Sequence, residues 1–201
     1  SIHENELSEN EFLIGKIPAT TFGIPVVLDD LVQYHTAVLG VTGTGKTELA
    51  LDIIRNALDR KTKLFCVDFT GEYKRRLSSY NPESIGLTMG QGTSLEQNLF
   101  AVETGTYGAP AEKAALKKFL DEIKPQITGQ VNSFLTDTTK NLGVFELNEI
   151  TNTRATLRTT EMYLSAIMDW AKKNRKREKI LIVLEEAHTI IPEAYQSGFD
   201  S

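Results

Sequence analysis

Cysteine is nearly absent from the 201-residue chain, which contains only Cys66. A single thiol excludes the disulfide framework of small secreted domains. Because Cys66 lies within the apolar run KLFCV, we predict a reduced, buried thiol rather than a metal ligand or a nucleophile. The chain also lacks an apolar run long enough to span a bilayer, and its polar first residues, SIHENELSEN, lack the apolar core of a secretory signal. These absences predict a soluble, cytosolic protein.

Positive charge is scarce as well. The chain carries 22 Lys and Arg against 27 Asp and Glu, a net charge of -5. This balance excludes a surface that coats nucleic acid by charge alone, although it is compatible with a ring whose DNA contacts are confined to a few pore residues. One basic cluster, KKNRKREK at 172–179, closes a predicted helix. We interpret it as a solvated helix end stabilised by the helix dipole, with a DNA-binding patch as the alternative.

What the sequence does contain is a complete phosphate-binding motif. Gly40, Gly45, Lys46 and Thr47 occupy every fixed position of G-x-x-x-x-G-K-[ST]. Glycines at 40, 43 and 45 let consecutive backbone N–H groups curve around a phosphate chain. We predict that Lys46 contacts the β and γ phosphates and that the Thr47 hydroxyl binds Mg²⁺. The predicted nucleotide contacts in this loop are Gly40, Thr42, Gly43, Thr44, Gly45, Lys46, Thr47 and Glu48.

The residues on either side of the motif predict the structure that it needs. Ala37–Leu39 is apolar and is predicted to end a buried strand. From Thr47 to Leu58, apolar residues recur at helical spacing, so the N-terminus of the predicted helix, with its partial positive charge, faces the loop. The apolar face of this helix is predicted to comprise Leu49, Ile53, Ile54, Ala57 and Leu58. The alternative is a Gly-rich turn before an ordinary helix, which the flanking strand and helix disfavour.

Further along the chain, apolar strands alternate with helices. The runs at 62–69 and 141–148 predict strands buried on both faces, and 179–188 predicts a fourth strand and its exit. Short strands are predicted at 11–17 and 24–30, and loops with small elements at 79–110. A helix is predicted at 111–123 and ends before Pro125. A second helix is predicted at 157–174, and its apolar face carries Met162, Leu164, Ile167, Met168 and Ala171. This alternation predicts an α/β fold, a mainly parallel sheet with helices on both faces.

Acidic residues follow two of these strands at their carboxyl ends, where ligands bind in parallel sheets. Asp68 ends the strand at 62–69, and Glu185 and Glu186 follow the apolar residues Ile180–Leu184. A nucleotide-hydrolysing site needs one acidic group for the Mg²⁺ shell and another to orient or deprotonate the attacking water. Two adjacent residues that leave a strand can divide those roles, and a solvated helix start is the alternative. We expect the phosphate loop to lie at the same sheet edge.

The strand order bears on the class of nucleotide site. The two buried strands at 62–69 and 141–148 lie in sequence between the phosphate loop and the Glu185–Glu186 pair. This order resembles the additional-strand class of P-loop ATPases, which have a RecA-like fold and a catalytic glutamate, rather than kinases or GTPases. The sequence also lacks the Asn/Thr-Lys-x-Asp motif that reads guanine. We therefore expect ATP to serve as fuel rather than as a switch.

Three segments together resemble one family of such ATPases. HTAVLGVTGTGKTELA at 35–50, VDFTGEY at 67–73 and IVLEEAHTIIPE at 182–193 are similar to the HerA branch of the HerA/FtsK superfamily. Members are hexameric ATPases with a DUF87-type core that translocate DNA. The resemblance implies a homo-hexamer that moves double-stranded DNA through its pore, in DNA processing, repair or anti-phage defence, with a partner nuclease or effector.

The same resemblance assigns roles to individual residues. ATP and Mg²⁺ are the implied cofactors, and Glu186 corresponds to the family's catalytic glutamate, acting with Lys46 and Glu185. Glu185 also joins Thr47 in the implied Mg²⁺ site. The family usually has Asp at this position, and Glu retains the charge and adds one methylene. Asp68 and Glu72 match the family's Asp-x-x-Gly-Glu turn. The resemblance implies that they contact Mg²⁺, water or a neighbouring subunit, and we include them among the predicted nucleotide-binding residues.

The resemblance also implies how the chain is organised. It runs from about Ile14 to Glu193, so residues 1–30 are expected to be the end of a preceding domain or lead-in strands, and 31–201 a P-loop ATPase core that is incomplete at its C-terminus. The family's sensor and arginine finger would then lie beyond Ser201. Two alternative functions remain: a regulatory ring ATPase that scaffolds and gates a partner nuclease or other effector, and the ATPase of a conjugation apparatus, disfavoured by the lack of a membrane segment.

Several other residues have two interpretations. For Arg154 and Arg158 we favour ion pairs on a helix surface over contact with a γ-phosphate across a subunit boundary. His35 is interpreted as structural although it matches the family's habitual position. His188 is expected to orient the turn after the carboxylates. Trp170 is interpreted as a packing residue, with an interface as the alternative.

Overall fold

The computed structural model describes the following residues of the protein: 7–41, 43–147, 150, 152–174 and 179–187. They form two compact units. The first contains the described residues up to Leu64 together with Lys179–Leu181, and the second contains the remaining described residues from Phe65 onward. The phosphate loop therefore belongs to the first unit, and the three strand-end carboxylates Asp68, Glu185 and Glu186 belong to the second.

The first unit contains an antiparallel hairpin followed by a short helix. Strands β1 (Glu11–Lys16) and β2 (Gly23–Val27) pair with each other, which confirms two predicted strands. The prediction that the second strand extends to residue 30 is wrong, because Leu28–Gln33 forms helix α1. Asp29 and Asp30 lie in the first turn of α1, where the helix dipole stabilises carboxylates.

Helix α2 (Lys46–Asp59) follows the phosphate-binding motif, as predicted. The guanidinium of Arg60, the residue after the helix, donates to the backbone carbonyl oxygens of Glu9 at 3.1 Å and Glu11 at 3.4 Å. These hydrogen bonds fix the end of α2 to β1 within the first unit. The buried residues of α2 are Leu51, Ile54, Ala57 and Leu58, whereas Leu49 and Ile53 are half-buried.

The strand predicted at Ala37–Leu39 is not formed, and this prediction is wrong. A strand requires a second strand that exchanges backbone hydrogen bonds with it. Within the described ranges, residues 35–41 have no such partner. Leu39 and Val41 are 88% and 75% exposed, so their side chains contribute no core packing to the first unit. An apolar run alone was therefore not sufficient to define a strand.

The second sheet is parallel, and its strands lie in the order β4 (Glu83–Ile85), β5 (Leu142–Glu146), β3 (Lys63–Asp68) and β6 (Ile180–Leu184). Helices flank this sheet, which confirms the predicted α/β class. β3 is buried along its whole length, and β5 is buried in its first four residues, as their continuous apolar runs predict. β6 is half-buried along most of its length.

The segment at 79–110, predicted as loops with small elements, contains β4 and a 16-residue helix, α4 (Met89–Thr104). Gly90 and Gly92 lower the helix propensity of this segment and obscure its pattern. Two features compensate for them. Thr88 and Gln91 form a capping box at the N-terminus, and α4 packs against the two helices that follow it in the chain. The prediction of loops here is wrong because capping and tertiary packing outweigh local propensity.

Helix α5 (Pro110–Thr136) continues through Pro125, so the prediction that it ends before this proline is wrong. A proline inside a helix removes one backbone hydrogen bond and costs about 3 kcal/mol. Burial of one large apolar side chain contributes about 1.5–3 kcal/mol, so a few buried residues in the later turns offset that cost. Those residues are Ile127, Val131, Phe134 and Leu135. In the part of the chain that the structure describes, no helix is both long and apolar enough to cross a membrane.

Helix α6 (Thr153–Lys173) confirms the predicted helix, but the predicted apolar face is only partly buried. Of its five residues only Ile167 is fully buried, and Met168 is 52% exposed. Thr159 and Thr160 occupy the core instead, because their hydroxyls donate to backbone carbonyl oxygens one turn earlier, at 2.7 and 2.9 Å. The buried residues of α6 are Ala155, Thr156, Thr159, Thr160, Tyr163 and Ile167.

Aromatic rings form the centre of the second unit. Phe145 of β5 lies 4.4 Å from Tyr163 of α6, measured between ring centroids. Phe65 of β3 lies 6.2 Å from Phe145 and 6.5 Å from Phe134 of α5. The Tyr163 hydroxyl donates to Gln130 Oε1 at 2.5 Å, which satisfies the polar end of this buried ring. These contacts hold β3 and β5 against α5 and α6.

Candidate functional site

The glycines of the phosphate loop adopt conformations that other residues rarely adopt. Gly43 and Gly45 have φ angles of 84° and 87°, in the left-handed region where a Cβ atom is disfavoured. Gly45 is also the N-cap residue of α2. Thr42, which is predicted to contact the nucleotide, lies outside the described residues. The left-handed conformation at 43 and 45 explains why the motif uses glycine at these positions.

Gly40 is constrained by a close approach of side-chain atoms. A Cβ atom at this position would lie 2.7 Å from Thr44 Oγ1, well inside van der Waals contact. Thr44 is held in place because its hydroxyl donates to the Val41 carbonyl oxygen at 2.7 Å and its backbone N–H donates to the same oxygen at 3.3 Å. A side chain at residue 40 would therefore displace Thr44 from its turn.

Lys46 folds back over this loop. Its Nζ donates a hydrogen bond to the Val41 carbonyl oxygen at 3.1 Å. The first N–H groups of an α-helix have no partner inside the helix, and the helix dipole adds partial positive charge there. The loop and α2 thus supply an ammonium group and backbone donors to an anion. Thr47 is half-buried in the first turn of α2, and Glu48 is exposed.

Asp68, at the end of β3, is fully buried and accepts four hydrogen bonds from the turn that follows it. Oδ1 accepts from the backbone N–H and the hydroxyl of Thr70, both at 3.0 Å, and from the Gly71 N–H at 2.9 Å. Oδ2 accepts from the Tyr73 N–H at 2.9 Å. This carboxylate therefore shapes the turn that leads into helix α3 (Glu72–Arg76).

Asp68→Ala is expected to lower the free energy of unfolding by about 3 kcal/mol, because three backbone N–H groups lose their acceptor and one of them is buried. The measurement is the midpoint of urea unfolding at an unchanged slope. Asp137→Ala is the matched control, since Asp137 accepts from the backbone and hydroxyl of Thr139 in an exposed turn, and its loss is expected to cost about 1 kcal/mol or less. Equal losses of unfolding free energy for the two variants would show that the Asp68 turn contributes no more stability than an exposed turn does.

Glu185 lies beside Asp68 because its backbone N–H donates to the Val67 carbonyl oxygen at 3.2 Å. The hydroxyl of Tyr73 lies near the Glu185 carboxylate. Burial raises the pKa of Glu185, and the negative charges of Asp68, Glu186 and Glu72 raise it further, while the nearby Tyr73 hydroxyl opposes this shift. Glu185 Oε2 is buried and has no hydrogen-bond partner among the described residues. A cation would stabilise this carboxylate.

The structure provides the kind of group that Mg²⁺ uses at nucleotide sites. There the ion is usually bound by one or two protein oxygens, by phosphates and by several waters rather than by a cage of side chains. Within the described residues, no group of three or more His, Cys, Asp or Glu side chains could hold a metal ion. Oε2 of Glu185 is a protein oxygen of the kind that binds Mg²⁺ together with phosphates and waters. The Thr47 hydroxyl is another such oxygen, in the phosphate loop.

Glu186 differs from its neighbour in backbone conformation and exposure. Its φ angle is 44°, in the left-handed region that is strained for a residue with a side chain. Such strain is costly and is found often at functional sites. Glu186 is exposed, whereas Glu185 is half-buried. Two adjacent carboxylates in different environments are consistent with the divided roles predicted for them.

Two buried groups near these carboxylates, the Cys66 thiol and the Tyr73 hydroxyl, remain neutral. Burial, followed by the charges of Asp68 and Glu185, raises the pKa of the Cys66 thiol well above its usual value. The thiol is buried and unpaired, which confirms the prediction of a reduced, buried cysteine. Burial also raises the pKa of Tyr73, and the neighbouring Glu185 carboxylate raises it further. The Tyr73 hydroxyl therefore stays protonated at physiological pH.

Sequence reasoning missed two residues near these carboxylates, Tyr73 and Glu146. Tyr73 directly follows the Asp-x-x-Gly-Glu turn, and an aromatic hydroxyl at that place is a usable signal. Glu146 ends β5, so the strand-end rule that selected Asp68 would also select it once the strand is known to stop there. Its carboxylate pairs with Lys74 Nζ at 3.0 Å, which ties α3 to the end of β5.

The remaining candidates have ordinary surface contacts. Arg154 pairs with Glu103 at 2.8 Å and Arg158 pairs with Glu161 at 2.6 Å, which confirms the ion-pair interpretation for both arginines. Glu72 lies 3.8 Å from Arg75. The other predictions stand as follows: His35 is exposed, Trp170 is half-buried, and His188 and the basic residues 175–178 lie outside the described residues.

Comparison with known proteins identifies the family. Residues 12–196 match the family model described as "Helicase HerA, central domain". The match covers most of the chain and includes the phosphate loop and the Glu185–Glu186 pair. No curated protein matches the chain. The parallel sheet flanked by helices is consistent with the RecA-like P-loop fold of this family. The chain therefore belongs to the family of the HerA central domain, whose members are P-loop ATPases.

Proposed function

We propose that the protein is the ATP-hydrolysing core of a HerA-like motor, which couples Mg²⁺-dependent ATP hydrolysis to the movement of double-stranded DNA through a homo-hexameric ring. The observation that carries this proposal is the phosphate loop. Two left-handed glycines, Gly43 and Gly45, lie directly before a 14-residue helix, and Lys46 folds over the same loop. Membership of the HerA family supports both the ATPase activity and the ring assembly.

In this proposal the chain's own groups have separate roles. Lys46 and the backbone N–H groups of the loop bind the phosphates and neutralise part of their charge. Thr47 and Glu185 hold Mg²⁺, which when bound supplies positive charge against the charge that develops on the phosphate oxygens. Glu186 orients the attacking water and accepts its proton. Asp68 and Glu72 shape the turn beside these carboxylates.

The second candidate function is a ring ATPase that organises and gates a nuclease or another effector. It would use the same nucleotide site, so nucleotide binding alone does not separate the two functions. DNA does separate them, because the cycle of a motor is coupled to DNA whereas the cycle of a scaffold is coupled to its protein partner. The experiment that tests the proposal therefore adds duplex DNA to the ATPase assay.

Duplex DNA is expected to stimulate ATP hydrolysis several-fold in the assembled protein. The affinity for duplex DNA is expected to fall by about tenfold or more between 50 and 200 mM salt, which corresponds to neutralisation of at least about two phosphates. The control is Glu186→Gln, which should retain salt-dependent DNA binding and lose hydrolysis. Equal turnover with and without DNA, together with no DNA binding at 50 mM salt, would favour the gating function over the motor.

A further inference from the structure

Tyr107 lies fully exposed on the short turn that joins α4 to α5. Its φ angle is 52° and that of Ala109 is 49°, in the left-handed region that is costly for a residue with a side chain. Because the ring is fully exposed, packing of the ring does not offset this strain. Backbone strain without a packing gain is found often at functional sites.

The turn that carries Tyr107 is held at both ends. The Ala109 N–H donates to the Thr106 carbonyl oxygen at 3.0 Å, across Tyr107, and the Ala109 side chain is buried. A Cβ atom at Gly105 would lie 2.5 Å from Ala109 Cβ, so the two ends of the turn lie against each other. The turn therefore fixes the backbone of Tyr107 and leaves its ring in solvent.

Two lysines follow on one face of α5. Lys113 and Lys117 are exposed and lie one helical turn apart, about 6 Å along the helix axis. Neither ammonium group pairs with a residue in the part of the chain that the structure describes. Glu112 precedes Lys113 by one residue and so lies about 100° around the helix, and Asp121 ends the basic face one turn after Lys117.

We propose that Tyr107, Lys113 and Lys117 form a DNA-contact surface, at which the Tyr107 hydroxyl and the two ammonium groups donate to phosphate oxygens of duplex DNA. Lysine and tyrosine side chains are both common donors to phosphates in protein–DNA interfaces. This inference rests on the proposed function, since it requires that the protein bind duplex DNA. It adds the residues that hold the DNA backbone, which the nucleotide site does not supply.

The charges and the shape of this surface favour DNA over an acidic protein segment. Each strand of a duplex presents a phosphate about every 3.4 Å along the axis, so two ammonium groups about 6 Å apart can contact phosphates of one strand. Tyr107 aside, the exposed neighbours are small, namely Ala111, Ala114 and Ala115, and they offer no large apolar anchor to a protein partner. They also let a phosphate backbone approach closely.

The test is a salt titration of duplex binding by the Lys113→Gln/Lys117→Gln double variant of the assembled protein. The probe is a fluorescently labelled duplex, and its affinity is measured by anisotropy between 50 and 200 mM salt. Each lost lysine–phosphate contact lowers the slope of log affinity against log salt by about 0.9, so we expect a fall of about 1.8 for each subunit that touches the duplex. Over this salt range the variant should lose about tenfold less affinity than the parent. ATP binding should stay within twofold of the parent, because the phosphate loop is unchanged.

Lys118→Gln is the matched control. Lys118 is the next residue of the same helix and carries the same charge, but it lies about 100° from Lys117 and pairs with Glu122 at 3.9 Å. Lys117→Gln alone should lower the salt slope by about 0.9, whereas Lys118→Gln should leave the slope unchanged. Equal slopes for these two single variants would show that the basic face makes no specific contact and would overturn the inference.

Tyr107→Phe tests the hydroxyl. Because this donor is neutral and displaces no counterion, we expect the affinity for the duplex to fall by about two- to tenfold at every salt concentration, with an unchanged slope. The ring is fully exposed, so the substitution should leave the fold intact. Parental affinity of Tyr107→Phe would overturn the assignment of Tyr107 to the surface.

The same measurements separate this inference from the proposed function. If the parent fails to bind the duplex at 50 mM salt, both fail. If the parent binds with a steep salt dependence and the double variant has the same slope, this inference alone is rejected. If the double variant binds the duplex as the parent does but loses affinity for polyglutamate, the surface serves an acidic protein partner and the inference is overturned.

Discussion

The Lys46→Ala protein is expected to lose ATP binding. In the proposed site the Lys46 ammonium is the main cation that the loop offers to the β and γ phosphates, and backbone N–H groups cannot replace its full charge. Removal of one partner from a close charge pair costs about 3 kcal/mol or more, which is a loss of at least about 100-fold in affinity. The measurement is equilibrium binding of ATP by calorimetry in the presence of Mg²⁺.

The fold should survive this substitution. Among the residues that the structure describes, Lys46 Nζ makes one exposed hydrogen bond, to the Val41 carbonyl oxygen, and water replaces such a donor at little cost. The control is Lys16→Ala, which removes an exposed lysine of β1 in the same unit and should leave ATP binding unchanged. An ATP affinity of Lys46→Ala close to that of the parent, with the control also unchanged, would reject the phosphate-loop assignment.

The phosphate loop could be predicted from sequence because its requirements are local. Left-handed φ angles at Gly43 and Gly45 need glycine whatever the rest of the chain does. Helix α2 carries its own periodic pattern and begins at the motif's lysine. The buried strands β3 and β5 were predictable for a similar reason, since a continuous apolar run of that length is typical of a strand covered on both faces.

The strand at Ala37–Leu39 and the helices α4 and α5 were mispredicted because their outcome depends on distant partners. Ala37–Leu39 is apolar, but a strand also needs a neighbour, and pairing is not encoded in the run itself. A proline within a helical pattern usually ends the helix. After Pro125, however, the following turns bury enough apolar surface to keep α5 continuous. In each case tertiary contacts decided against the local signal.

The acidic residues show a different limit. The sequence predicted that Asp68, Glu185 and Glu186 follow strands, because position along the chain fixes which residue leaves a strand. It did not show that both carboxylate oxygens of Asp68 accept hydrogen bonds from the turn that follows this residue. Hydrogen-bond partners depend on the conformation of the turn at 68–73, and residue types alone do not define that conformation.

Glu186→Gln is expected to bind ATP with Mg²⁺ as the parent does and to stall before cleavage. The amide preserves the shape of the side chain and its capacity to accept a hydrogen bond, but it cannot accept the proton of the attacking water. General base assistance is worth about 10²- to 10⁴-fold in rate, so single-turnover cleavage should fall by at least about 100-fold.

The matched variant is Glu185→Gln, since the two positions are adjacent and the substitution is chemically the same. In our proposal Glu185 binds the cation, and its buried Oε2, which has no hydrogen-bond partner within the described ranges, is the oxygen that Mg²⁺ would contact. Glu185→Gln should therefore raise the Mg²⁺ concentration needed for nucleotide binding, whereas Glu186→Gln should leave that concentration unchanged. Single-turnover cleavage and a Mg²⁺ titration of nucleotide binding on both variants separate the two roles. If Glu186→Gln cleaves ATP at nearly the parental rate while Glu185→Gln binds with normal Mg²⁺ dependence and does not cleave, Glu185 is the base and the assignment is reversed.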